Sequence, residues 1–304
     1  MNKPLRRLLA GVLITGALGI GALSTLLVDG ACHRNGLGGA PNPKLAKQIA
    51  EAAHGSWEDV SISANDGASL RGWLFRPEGQ PKGSVMVLHG VGDNRSGATG
   101  HIAYLLRGHY AVLVADSRAR GESGGDLITY GVQERHDVAA WAAWLRETIP
   151  GSVYGIGISM GAGVILQSLP EAGFQAVVAE SPFRCFEAIA MHRILPGSGW
   201  SRTLATPLGW AVVESGFLYA RLRYNVNLAD ACPEHSLPQD GGKTRVLLVH
   251  GSQDTNIPAT HSRALLQVLP KGTMLWEVQD AEHVQVFARE RQKYEKRVLD
   301  FFAE

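Results

Sequence analysis

Short apolar runs without polar alternation recur along the chain, at Val85–Leu88, Ala111–Ala115, Val153–Ile158, Ala176–Ala179 and Val246–Val249. A strand with one face in water alternates apolar and polar residues, so unbroken runs predict strands buried on both faces. Between them lie helical periodicities over His101–Leu106, Val132–Leu145 and Met160–Leu169. In the second, Val138, Ala142 and Leu145 share a face; Pro170 is expected to end the third. Strands alternating with helices predict an α/β fold with a doubly wound, mostly parallel sheet. Upstream, Trp57–Ser63 and Leu70–Phe75 flank Asn65-Asp66-Gly67 and predict an antiparallel hairpin. Met274–Val278 adds a strand near the other end.

Two stretches depart from this rhythm. Residues 182–243, about sixty without a clear strand, hold Trp200, Trp210, Phe217, Tyr219 and Tyr224 and predict a mostly helical cap inserted between two sheet strands. Near the N-terminus, Lys3, Arg6 and Arg7 precede the uncharged stretch Leu8–Val28, roughly 21 residues, enough for a membrane-spanning or signal helix. An uncleaved anchor is favoured, because the cleavage site before Cys32 would carry Asp29 at its third position. The leading basic residues then place the main domain extracytoplasmic, periplasmic or at the cell surface. Secretion after signal cleavage is the alternative, as is a lipoprotein modified at Cys32, for which Val28-Asp29-Gly30-Ala31-Cys32 fits in part. The expected organisation is an anchor or signal segment at 1–30, a Gly/Pro/Asn-rich linker at 31–44 and one domain at 45–304.

Composition narrows the partners. With 29 Lys plus Arg against 28 Asp plus Glu, no electrostatic case exists for nucleic acid or an acidic substrate. The 36 glycines suit the repeated tight turns of an α/β sheet. Cys185 and Cys232 could pair in an oxidising compartment, and the cysteine spacing matches no zinc pattern.

Gly157-Ile158-Ser159-Met160-Gly161 matches G-x-S-x-G, whose small flanking residues permit a sharp strand-to-helix turn that presents the serine hydroxyl. Gly121-Glu122-Ser123-Gly124-Gly125 matches it too. Ser159 follows an apolar strand and opens a helical pattern, whereas Ser123 sits among loop-forming residues. Ser159 is therefore the candidate nucleophile and Ser123 a turn residue. A serine hydroxyl needs a base, and the base an orienting carboxylate. Asp254 follows one buried-type strand within His250-Gly251-Ser252-Gln253-Asp254, and His283 follows the last strand within Asp280-Ala281-Glu282-His283. Capping a helix near Pro258 is the structural alternative for Asp254, with Asp280 the competing carboxylate. His89 and His250 precede glycines in strand-ending turns, where bonding to backbone suffices.

The motifs from Val85 to His283 resemble the α/β-hydrolase superfamily, in particular its serine aminopeptidase, monoacylglycerol-lipase-like and Bem46-like branches. His89-Gly90-Val91-Gly92 is similar to their H-G-x-G turn. Asp116 to Ser123 is similar to their D-x-R-G-x-G-x-S loop, departing at Ala119 and Arg120. The resemblance implies an α/β-hydrolase fold, the triad order Ser159, Asp254, His283, and an oxyanion hole from the backbone N–H groups of Val91 and Met160. The expected function is carboxylesterase or lipase-like hydrolysis of a small apolar acyl ester, with no metal or organic cofactor. Thioesterase or aminopeptidase activity would use the same triad, and a catalytically inactive membrane-tethered binding protein would keep only the fold.

Overall fold

The structure, a computed structural model, describes residues 3–33, 38–195, 200–236 and 242–304. Helices α1 (Lys3–Cys32) and α2 (Pro43–Ala52) precede the hairpin β1 (Ser56–Ser63) and β2 (Ser69–Arg76). Next come β3 (Gly83–Leu88), α3 (Ile102–Arg107), β4 (Ala111–Ala115), α4 (Glu134–Thr148), β5 (Ser152–Ile158), α5 (Met160–Gln167), the short α6 (Leu169–Ala172) and β6 (Ala176–Glu180). Helices α7 (Phe186–Ile194), α8 (Trp200–Tyr224) and α9 (Pro233–Ser236) then intervene, with no strand among the described residues, before β7 (Arg245–Gly251). The order ends α10 (Thr260–Val268), β8 (Met274–Val278), α11 (Val286–Arg289) and α12 (Arg291–Ala303).

One eight-stranded sheet runs β1-β2-β4-β3-β5-β6-β7-β8. The hairpin is antiparallel, as expected, and β2 pairs antiparallel with β4; every later pairing is parallel. The unbroken apolar runs have a simple cause: alternate side chains of each strand feed two separate cores. Met86, Leu113 and Leu248 enter the core under α4, α5 and the cap, while Val87, Val114 and Val249 enter the one under α2, α3 and α12. Chain order reverses at β3, which lies between β4 and β5, so the carboxyl ends of β3 and β5 flank a crevice where such sheets bind ligands.

Pro170 does not close a helix. Helix α5 ends at Gln167, and Pro170 sits in the first turn of α6, where its missing N–H costs nothing. Helix α2 was not expected from periodicity, yet Asn42 accepts from the Leu45 N–H and Pro43 occupies the first turn, a recognisable start signal.

Helix α1 runs to Cys32 and α2 begins at Pro43, and residues 34–37 of the expected 31–44 linker lie outside the described residues. So do residues 196–199 and 237–241 of the expected 182–243 cap. The end of α1 docks on the cap. Ser24 Oγ donates to the Val212 carbonyl at 2.9 Å, and Tyr224 donates to Asp29 at 2.7 Å. The Ala31 carbonyl accepts from Tyr130, and the Cys32 carbonyl from the Ile128 N–H. Cys185 and Cys232 form a disulfide that ties the start of α7 to the chain before α9.

Leu248 is wholly buried between β6 and β8. Leu248→Ala is expected to lower unfolding free energy by about 3 kcal/mol, read as a lower urea midpoint at unchanged slope.

Candidate active site

Ser159 stands at the turn between β5 and α5 with φ 55° and ψ −113°, a conformation uncommon for a residue with a side chain. The flanking glycines make this turn sterically possible. A Cβ at Gly161 would lie 2.6 Å from the Leu88 carbonyl oxygen, and one at Gly157 would lie 2.6 Å from Ala162 Cα. The Ser159 N–H donates to the Glu180 carbonyl at 2.8 Å, tying the turn to the end of β6.

A hydrogen-bonded relay leads away from the hydroxyl. Ser159 Oγ lies 2.9 Å from His283 Nε2, and His283 Nδ1 lies 2.7 Å from Asp254 Oδ2. The three residues come from loops after β5, β8 and β7, brought together because those strands end at the same edge of the sheet. Asp254 is buried, and its second oxygen accepts from the N–H groups of Asn256 at 3.0 Å and Ile257 at 2.8 Å. Burial alone would raise this carboxyl. Hydrogen bonds from His250, His283 and the Ile257 N–H outweigh that effect and hold it well below the usual carboxylate range. Asp254 thus faces His283 and organises the turn that follows it, but it does not cap the helix after Pro258, which begins at Thr260 behind Ala259 with no side-chain cap. Asp280 is exposed, and its backbone N–H donates to Ser252 Oγ.

A cleft of about 440 Å³ opens over the hydroxyl, lined by Gly90, Val91, Ser159, Glu180, Asn256, His283 and Phe287 among others. Val91, one expected oxyanion donor, is in that lining. Met160, the other, opens α5, so its N–H belongs to the first helical turn, whose donors have no partner within the helix. The decoy serine is structural: Ser123 Oγ donates to the Asp116 carbonyl at 2.8 Å and accepts from the Arg71 N–H at 2.9 Å. His89 bonds to backbone, accepting from the Ser117 N–H at Nε2 and donating from Nδ1 to the Gly90 carbonyl.

Two contributors escaped the sequence reading. His250 was assigned to backbone bonding, and its Nε2 does reach the Ile257 carbonyl at 2.7 Å, but the same nitrogen lies 3.3 Å from Asp254 Oδ2. A histidine four residues before the acid was the available signal. Glu180 is a fully buried carboxyl in the cleft wall, with the Phe287 N–H 3.5 Å away. Its signal was a charged residue closing an apolar strand at the edge of the sheet where the site forms. Burial pushes the Glu180 carboxyl up to about 7, against the backbone N–H donors of Phe287 and Val286 and the nearby His283. Among the described residues, the one group spaced to hold a metal is Cys185, Cys232 and His235, and its two thiols are bonded to each other.

A family model described as the α/β hydrolase family matches residues 85–299. The chain belongs to the α/β-hydrolase family. This hydrolase is 26% identical over 255 residues to the uncharacterized protein YfhR of Escherichia coli, spanning 81% of its own length and 80% of that protein's. It is 25% identical over 240 residues to the uncharacterized protein YqkD of Bacillus subtilis, spanning 77% and 75%. Among solved structures, an esterase of Pyrococcus furiosus matches with a TM-score of 0.63 at 25% identity, over 83% of this chain and 92% of that one. An esterase of Exiguobacterium antarcticum matches with a TM-score of 0.57 at 17% identity, over 81% and 99%, which speaks to the fold alone. Family and esterase neighbours together support a hydrolase.

The raised Glu180 pKa carries a pH signature. Protonated Glu180 is the form the fold accommodates, so its contribution is complete below the unfolded value of 4.5 and is lost as pH rises through about 7. Between pH 5 and 8 the stability of the hydrolase should fall by about 3 kcal/mol more than that of Glu180→Gln. Denaturant unfolding at stepped pH measures the difference; parallel curves would contradict it.

Proposed function

We propose that this hydrolase cleaves a carboxylic ester through an acyl-enzyme on Ser159. The observation that carries the reading is the unbroken relay from Ser159 Oγ through His283 to buried Asp254, opening on a cleft. Ser159 Oγ attacks the carbonyl carbon while its proton passes to His283 Nε2. Asp254, held ionised, fixes the ring with Nδ1 protonated and stabilises the imidazolium. The N–H groups of Val91 and Met160 receive the developing oxyanion. Collapse breaks the carbonyl carbon–alkoxy oxygen bond, and the alcohol leaves with the proton from His283. Water, deprotonated by the same imidazole, attacks the acyl carbon; the carboxylic acid departs and Ser159 recovers its proton. The esterase of Pyrococcus furiosus, at 25% identity, favours the ester as the bond cleaved.

A membrane location belongs to the same proposal, with α1 as an uncleaved anchor and the main domain outside the cytoplasm. Over Thr15–Cys32 the helix has a mean hydropathy of 1.4 and is only 17% buried, which suits lipid better than a soluble core. The basic residues ahead of it and the Cys185–Cys232 disulfide fit that orientation.

A fluorophosphonate probe is expected to label the wild-type chain and not Ser159→Ala; a folded wild type that takes no label would refute the serine mechanism. Asp254→Asn should lower kcat on a short-chain p-nitrophenyl ester about 10⁴-fold, because the amide presents the wrong partner to His283 Nδ1. On cell fractionation the chain should stay in membranes through alkaline carbonate; recovery as a soluble cytoplasmic protein would refute the anchor.

A further inference from the structure

An apolar cavity of about 210 Å³ lies between α1, α7 and α8, apart from the residues that line the Ser159 cleft. Its walls are aliphatic and aromatic. Tyr130 and Phe186 stack with ring centres 4.0 Å apart, and Phe217 continues the stack at 6.1 Å from Phe186. The one charged side chain in the lining is Arg193, whose Nη2 donates at 3.1 Å to Asn256, a residue of the Ser159 cleft. The adjacent His192 reaches the Thr255 carbonyl at 3.0 Å, so α7 rests on the loop that carries Asp254.

The remaining wall comes from α1, through Ser24, Leu27, Val28 and Ala31. This wall is fixed in place. A Cβ at Gly216 would lie 3.0 Å from Val28 Cγ2, so α8 has a glycine where α1 packs against it. The same stretch of α1 shows Leu23, Leu26 and Leu27 on its surface, the last 43% exposed while also lining the cavity. Leu27 therefore belongs at once to the cavity and to the face that a membrane helix turns to lipid.

We propose that this cavity holds the acyl chain of a lipid ester taken from the bilayer, with α1 forming part of the substrate site. The proposal rests on the serine-hydrolase and membrane-anchor readings and adds the substrate class. The cavity suits an apolar chain because its polar side chains are already engaged, Ser24 and Tyr130 with backbone carbonyls and Arg193 with Asn256, and the ester end of such a chain would sit in the Ser159 cleft that Asn256 lines.

The test uses the full-length chain in detergent micelles, with p-nitrophenyl acetate and p-nitrophenyl dodecanoate as probes. Ala190→Trp, on α7, and Leu27→Trp, on α1, fill the cavity from opposite walls. Each should lower the dodecanoate-to-acetate ratio of kcat/KM by about tenfold. A ratio unchanged in both overturns the proposal, and a change in Ala190→Trp alone removes α1 from the site. Should Ala190→Trp fail to fold, Ala190→Leu replaces it, while Leu27→Trp at its half-exposed position carries the α1 side of the test. Failure of the underlying reading looks different: the wild-type chain would then take no fluorophosphonate label, whereas labelling with unchanged ratios would overturn the cavity alone.

Discussion

Helix α5 approaches the carboxyl ends of β3 and β5 so closely that two positions admit no side chain. The backbone oxygens of Leu88 and His89 occupy the space of a Gly161 Cβ, and α5 itself occupies that of Gly157. This contact forces the sharp turn that puts Ser159 at φ 55°, and strain of that kind persists only when surrounding structure over-determines it. The determinants are on both sides: the Ser159 N–H is bonded to β6, and a Cβ at Gly90 would already meet Ser159 Cβ at 3.5 Å. The relay geometry follows, because a hydroxyl aimed elsewhere could not lie 2.9 Å from His283.

Buried charge is the second constraint, and the chain answers it the same way in two places. Asp254 is removed from water and receives donors from two histidines and two backbone N–H groups. Asp116, in the loop after β4, accepts from the N–H groups of Arg95 and Glu122 and pairs with the Arg95 guanidinium at 2.7 Å. An ionised carboxylate in a dry site is tolerable only when so satisfied. The loop from Asp116 to Ser123, which resembles a family motif, is accordingly a scaffold: Arg118 clamps Asp137 through two 2.7 Å bonds, and Ser123 braces β2. This loop shapes the neighbourhood of β3, whose end carries Val91, without contributing to the cleft lining.

That division explains what was legible in the sequence. Strand positions could be read because burial on both faces leaves a local mark, an apolar run, and Ala111–Ala115 and Met274–Val278 have the same bounds in the structure. Ser159 could be separated from Ser123 because strand and helix flank the one and loop residues the other. Glu180 left a local mark as the charged residue closing an apolar strand, but its place in the cleft wall was not legible, since its partner Phe287 is 107 residues away and only the fold brings them together. His250 was visible but ambiguous: a histidine before a strand-ending glycine looks alike whether it binds backbone or a carboxylate, and here it does both. Helix α12 was missed although it buries Tyr294, Val298, Phe301 and Phe302, because charged residues fill the intervals. The docking of α1 was likewise not legible, since a Gly- and Pro-rich composition after a helix says nothing about what that helix packs against.

The docking of α1 raises a specificity problem that apolar packing cannot solve. A helix apolar on every side has no preferred rotation against another apolar surface, and burial energy, being non-directional, does not supply one. The few polar groups do. Ser24 reaches the Val212 carbonyl, Asp29 takes hydroxyls from Tyr219 and Tyr224, and the Ala31 carbonyl takes that of Tyr130. Each bond is available at one rotation only, and together they turn Val28 toward Gly216 and leave Leu23 and Leu26 outward. Asp29, which weakened the cleavage-site match in the sequence, thus has a structural role of its own: it locks the apolar helix to the cap that sits beside the candidate active site.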